Sequence, residues 1–192
     1  MWVVKLGGSL QGSTNLKDWL RAVADHGGGK IVLVPGGGKY ADKVRQDQIR
    51  ERFSDREAHI LAIRAMEQFA RDLCESQPRL QSFSNKSQLV EILQKGGVPV
   101  WLPSEMVIGQ PDLPESWDVT SDSLALWLAQ KLACKGLIIV KHVNLGAVTS
   151  LEKLADAGVV DGYFPELYQK GSMPLRWYRP EQHQHLNLYA LS

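Results

Sequence analysis

Lys5 stands two residues ahead of Gly7-Gly8-Ser9, and a second glycine run, Gly36-Gly37-Gly38, follows the apolar stretch Ile31-Val32-Leu33-Val34. Backbone N–H groups crowd an oxyanion only where no Cβ intervenes, and a helix that starts after such a loop adds partial positive charge. Two glycine loops in tandem, one with a lysine beside it, point to two oxyanion sites side by side and to a phosphoryl group moving between two bound molecules. Phosphoryl transfer needs cations and N–H donors for the spreading negative charge, and carboxylates to orient a magnesium ion or the lysines. Further along, Asp118, Thr120, Ser121 and Asp122 open a helical pattern, and Lys141, His142 and Asn144 follow a fully apolar run over residues 137–140. These groups supply that inventory. Neither glycine loop has the Gly-x-x-x-x-Gly-Lys-Ser/Thr spacing of a Walker A motif, and no Gly-x-Gly-x-x-Gly precedes an acidic residue placed for a ribose.

The elements that must position these residues alternate. Residues 1–34 read as a strand, a helix with Leu16, Trp19, Leu20 and Val23 inward, and a second strand, with Thr14 or Asn15 as cap and Gly27-Gly28-Gly29 as stop. A right-handed crossover makes those strands parallel. A helical pattern runs from Tyr40 to about Ser76 with a break near Phe53, where Ser54 and Glu57 form a capping box, and Met66 and Phe69 read as core. Pro78 stops it, a short helix covers residues 84–95, and a strand over 98–102 leads into a proline-rich segment, 103–117, expected to be a mobile loop over a site. Another helix near residues 151–157 precedes an apolar C-terminal region, 163–192, expected to complete the sheet or form a subunit interface. Apolar strands alternating with helices imply an α/β fold, a three-layer αβα sandwich with a mostly parallel central sheet, as a single domain over residues 1–192. Ligands of such sheets sit beyond the carboxyl ends of the strands, where every group named above falls.

The 192 residues carry a net charge of +1, so nothing in the balance demands nucleic acid or a membrane surface. Cys74 and Cys134 lie in helical patterns rather than in a metal-ligand spacing, which favours reduced, buried thiols and no protein-held metal. No uncharged run approaches the length of a membrane span, and no signal peptide is legible, so a cytoplasmic protein is expected.

Taken together these residues resemble the amino acid kinase superfamily, over roughly residues 1–160 in order. Residues 3–9 are similar to its first phosphate loop, 34–38 to its acceptor-binding glycine loop, and 120–125 to its Ala-Asp-x-x-Ala helix start. Within the superfamily, the run from Gly36 to Arg45, Ala58-His59, Ala65-Met66 and the run from Trp117 to Ser123 look like a small uridylate-kinase-like branch. That branch serves methanofuran biosynthesis and phosphorylates an aminomethyl-furanmethyl phosphate to its diphosphate. The resemblance implies ATP and Mg2+, a small phosphate or carboxylate acceptor, and a homodimer or higher homo-oligomer. It also implies catalytic roles for Lys5, on the transferring γ-phosphoryl group, and for Asp122, holding the lysine or lysines. Gly7, Gly8 and Ser9 would line the nucleotide phosphates, with Lys141, His142 and Asn144 on the same side, and Gly36, Gly37 and Gly38 would bind the acceptor together with Thr120 and Ser121. Larger members carry a glycine-glycine-methionine loop with a second catalytic lysine; it is absent here, and Lys141 is the substitute.

Arg45, two helical turns beyond Gly38, is placed to reach an acceptor phosphate bidentately or else is a solvated helix residue; Asp118 pairs with an aminomethyl ammonium or simply charges a helix start. His59 reads as a packed or surface histidine, while Trp101 and Trp117 either stack on a furan or base or anchor the loop. A uridylate or amino acid kinase on the same scaffold, and a non-catalytic nucleotide- or oxyanion-binding protein, remain open beside the furan kinase.

Overall fold

The computed structural model describes residues 1–142 and 150–186, and a six-stranded parallel sheet of order β3-β4-β2-β1-β5-β6 runs through its middle. The strands are β1 (Trp2–Leu6), β2 (Ile31–Pro35), β3 (Leu80–Phe83), β4 (Val98–Trp101), β5 (Gly136–Val140) and β6 (Leu175–Tyr178). β1, β2 and β5 are buried along their whole length, as expected for strands covered on both faces. The helices are α1 (Thr14–His26), α2 (Gly38–Glu51), α3 (Asp55–Ser76), α4 (Lys86–Gln94), α5 (Ser104–Val107), α6 (Ser121–Lys131), α7 (Leu151–Asp156) and α8 (Phe164–Lys170).

Successive strand residues point to opposite faces, and the two cores sort accordingly. Val4, Leu6, Ile31, Leu33, Ile138 and Val140 pack with Leu16, Trp19, Leu20 and Val23 of α1. Val3, Val32, Val34, Leu137 and Ile139 pack with α6 and α8. Odd-numbered Lys5 therefore shares the α6 face with Val3, and Lys141 shares it with Leu137 and Ile139. Since Lys5 pairs with Ile139 in the parallel register, both lysines end up on one face at the carboxyl edge of adjacent strands.

Several details depart from the expectations above. Ser13 rather than Thr14 or Asn15 caps α1, accepting from the Leu16 amide at 3.1 Å. The proline-rich segment is anchored: α5 buries Val107, Leu113 is buried, and Trp127 donates to Asp112 at 3.1 Å. Strand β3, with exposed polar residues between Leu80 and Phe83, was hidden by the Pro78 stop signal. The C-terminal region does complete the sheet through β6, pairing Leu137 to Leu175 and Val140 to Tyr178. The break near Phe53 is real: Arg52, in the left-handed region, ends α2, and Ser54 accepts from the Glu57 amide at 3.2 Å to start α3.

Candidate active site

The loops after β1 and β2 meet backbone to backbone. A Cβ on Gly8 would lie 2.4 Å from the Gly38 nitrogen, and one on Gly36 would lie 2.4 Å from the Gly8 nitrogen. Gly38 adopts φ +53 and sits against the Gln11 side chain, whose Oε1 accepts from the Lys39 amide at 2.8 Å and so ties the first loop to the start of α2. Gly8→Ala must push these loops apart, and a cost of about 1–3 kcal/mol is expected from the overpacking. A thermal melt lowered by several degrees, with loss of ATP binding, would accord with this contact; a wild-type melt would show that the loops part freely.

Above the loops, Lys5 and Asp122 form a buried ion pair, Nζ to Oδ1 2.6 Å, each residue 2% exposed. Lys141 Nζ takes the other oxygen, Oδ2, at 2.7 Å and also donates to the Val159 carbonyl. One carboxylate at the first turn of α6 thus lies between two ammonium groups from neighbouring strand ends. Burial pushes the Asp122 carboxyl up, but Lys5 and Lys141 together outweigh it and hold it below the usual carboxylate range. Burial pulls the Lys5 ammonium below its ordinary value, against the upward pull of Asp122.

A cavity of about 290 Å³ opens over this triad. It is lined by Lys5, Gly8, Ser9 and Lys141 on one side, by Gly37, Gly38, Asp42 and Arg45 of the second loop and α2, and by Thr120, Ser121 and Asp122 of the α6 start. Its apolar wall comes from Ala62, Ile63 and Met66 of α3 with Val119 and Leu124. Arg45 lies over the Trp117 ring at 4.3 Å, and that indole donates to Gln48 at 2.7 Å, so the guanidinium is held at the cavity mouth. His59 also lines the cavity; it is buried, its Nδ1 donates to the Ser116 carbonyl at 3.1 Å, and burial lowers its pKa below the ordinary value.

The structure brings most of the expected residues together, with exceptions that have physical causes. Gly7 and Gly36 do not line the cavity: their amides prolong the sheet, donating to Val140 at 3.0 Å and to Leu6 at 2.8 Å, and their glycine character serves close packing. Asp118 faces a separate depression with Gly162 and Tyr163, and its carboxylate accepts from the Ser116 hydroxyl at 3.1 Å, so Asp42 is the carboxylate beside Arg45 at the mouth. Thr120 has its amide and hydroxyl both directed to Asp161. His142 is exposed and outside the lining, and Asn144 lies outside the described residues. Trp101 is wholly buried, stacked on Trp127 with centroids 6.2 Å apart. Sequence reasoning missed Asp161, Asp42 and the α3 wall. The i, i+3, i+7 spacing of His59, Ala62 and Met66 marks a single helix face, but that pattern is equally a core stripe.

Among the described residues no group of three or more His, Cys, Asp or Glu converges to hold a metal ion, and no helix is long and apolar enough to cross a membrane. The model of the amino acid kinase family matches residues 1–145. The chain is 31% identical over 147 residues to the [5-(aminomethyl)furan-3-yl]methyl phosphate kinase of Methanocaldococcus jannaschii, covering 75% of this chain and 67% of that protein. Its fold is similar to uridylate kinase of Archaeoglobus fulgidus, with TM-score 0.67, 17% identity and coverage of 94% and 92% of the two chains. It is also similar to UMP kinase of Bacillus anthracis, with TM-score 0.68, 14% identity and coverage of 99% and 91%.

Proposed function

The chain belongs to the amino acid kinase family, and from that membership we propose that it transfers the γ-phosphoryl group of ATP to the phosphate of [5-(aminomethyl)furan-3-yl]methyl phosphate, giving the diphosphate. The observation that carries this reading is the Lys5–Asp122–Lys141 triad set over the meeting point of two glycine loops. An oxygen of the acceptor phosphate attacks the γ phosphorus as the bond to the ADP oxygen breaks, and no covalent enzyme intermediate forms. A phosphate is nucleophilic when ionised, so the site needs no strong base; positioning and charge neutralisation carry the rate. Lys5 meets the charge spreading over the transferring group, and Lys141 supplies a second cation on the ATP side with Gly8 and Ser9. Asp122 keeps both ammonium groups aimed at that point. Mg2+ bound to the ATP phosphates would neutralise their charge, its ligands coming mainly from the phosphates since Asp122 is already engaged by two lysines.

The cavity supports a small acceptor. At about 290 Å³ it stands at the low end of ligand pockets. The flat ring would lie along Ile63, Met66 and Trp117, Arg45 would take the acceptor phosphate, and Asp42, which also lines the cavity, would pair with its ammonium. A cytoplasmic homodimer or larger homo-oligomer, built from one domain over residues 1–192, completes the reading. A mass-spectrometric screen with magnesium-ATP tests the acceptor. The furan phosphate is expected to give ADP and a diphosphate, while UMP, acetylglutamate, aspartate and carbamate give none. Product from another acceptor would reject the furan substrate and keep the kinase; ATP binding without product from any would favour an oxyanion-binding protein.

A further inference from the structure

We propose that Asp161 is the positioning residue of this site: its carboxylate caps α6 from a distant part of the chain and thereby holds Asp122 between the two lysines. Thr120, at the N-cap of α6, makes no side-chain bond to the helix. Asp161 Oδ2 instead accepts from the Thr120 amide at 2.8 Å, the Thr120 hydroxyl at 2.8 Å and the Ser123 amide at 3.0 Å, while Oδ1 accepts from the Ser123 hydroxyl. The Ser123 amide is the one an N-cap side chain ordinarily takes. One carboxylate thus gathers four donors, two from the N-cap residue Thr120, two positions before Asp122, and two from Ser123, the residue that follows it. The same short segment fixes the second lysine, since the Val159 carbonyl accepts from Lys141. Residues 159–161 therefore set both the Asp122 carboxylate and one of its two cations.

A cap alone does not call for this arrangement. Thr120 is itself a residue type whose hydroxyl closes a helix start without charge, yet that hydroxyl donates to Asp161 instead. Asp161 places a second carboxylate next to Asp122 in a buried region, where burial and then Asp122 push its pKa up to about 6. The charged groups facing it are Asp122 on α6 and Lys5 on β1, the latter attracted to it. That unfavourable neighbour sits at the helix start that carries the ion triad, which ties Asp161 to the site rather than to helix stability in general.

The inference rests on the phosphotransfer reading, and the test separates the two. Asp161→Ala, Asp161→Asn and Thr120→Val are compared with wild type for kcat, for KM of ATP, for melting temperature and for hydrogen exchange at the Thr120 and Ser123 amides. In Asp161→Ala those two amides lose protection and kcat falls about 100-fold, a loss of the size a misplaced reacting group gives, with KM for ATP changed less than about threefold. Asp161→Asn, which keeps one acceptor oxygen, lies between, and carries the test if the alanine variant does not fold. Unchanged exchange, a wild-type kcat, or an activity loss no larger than the loss of folded protein would overturn the assignment. If the wild-type protein makes no product from any acceptor, the kinase reading fails, and the exchange measurement still accepts or rejects the cap.

Discussion

Lys5→Ala is expected to lower kcat about 10²–10³-fold, the effect of deleting one preorganised charge-stabilising group, while the Kd for ATP changes far less. In the proposed roles the ground-state nucleotide keeps Lys141, Gly8 and Ser9, and what it would lose is the cation that meets charge developing between donor and acceptor. Lys5 is buried and, among the described residues, its ion-pair partner is Asp122, so it is not free to act as a general surface cation. Removing it leaves Asp122 with the Lys141 pair, so the folded state retains one compensating charge. Lys5→Met fills the alkyl space and separates lost packing from lost charge. Single-turnover rates and calorimetric ATP binding read the two quantities independently. A kcat within a few-fold of wild type in both variants would remove Lys5 from the transition state. Equal losses in binding and turnover would make it a uniform ground-state contact instead.

How this site assembles is partly legible in the sequence. The period of two in β1 and β5 puts Lys5 with Val3 and Lys141 with Ile139, and the parallel crossover places those strands side by side with their carboxyl ends together. An acidic helix start arriving at that edge follows from the strand–helix alternation. The outward placement of Asp118 was less visible than the inward one of Asp122. The bend over residues 116–118 turns Asp118 outward, onto the Ser116 hydroxyl, whereas Asp122, one residue into α6, points back over the sheet. Gly7 and Gly36 resemble their loop partners in sequence, yet the chain uses their amides to lengthen the ladder, a distinction of hydrogen-bond register that composition does not carry. Strands β3 and β6 flank the buried strands as sheet edges, so they show weak apolar signals. Asp161 had no local signature at all. It follows a short helix, α7, and finds Thr120 and Ser123 across 41 and 38 residues of chain, a pairing that only the tertiary fold produces.

Asp122→Asn should leave the shape of the α6 start intact and remove the charge that two ammonium groups share. A fall in kcat of about 10²-fold or more is expected, because two preorganised donors lose their aim together. The sharper consequence is in the pH profile. Burial already holds the Lys5 pKa below its ordinary value, Asp122 raises it, and the nearby Lys141 lowers it. With the carboxylate neutralised, the upward contribution disappears and the lowering by burial and Lys141 remains, so Lys5 loses its proton at a lower pH than in the wild type. A step that requires the ammonium form is present below that pKa and fails as pH rises through it. The alkaline limb of kcat/KM, which reports the free enzyme, should therefore move to lower pH in Asp122→Asn. It should disappear in Lys5→Met, where the residual rate no longer depends on that ammonium. Coincident alkaline limbs in wild type and Asp122→Asn would mean that Asp122 does not set the protonation of Lys5, and coincident limbs with an unchanged kcat would make the triad at the sheet edge a structural ion cluster without a part in transfer.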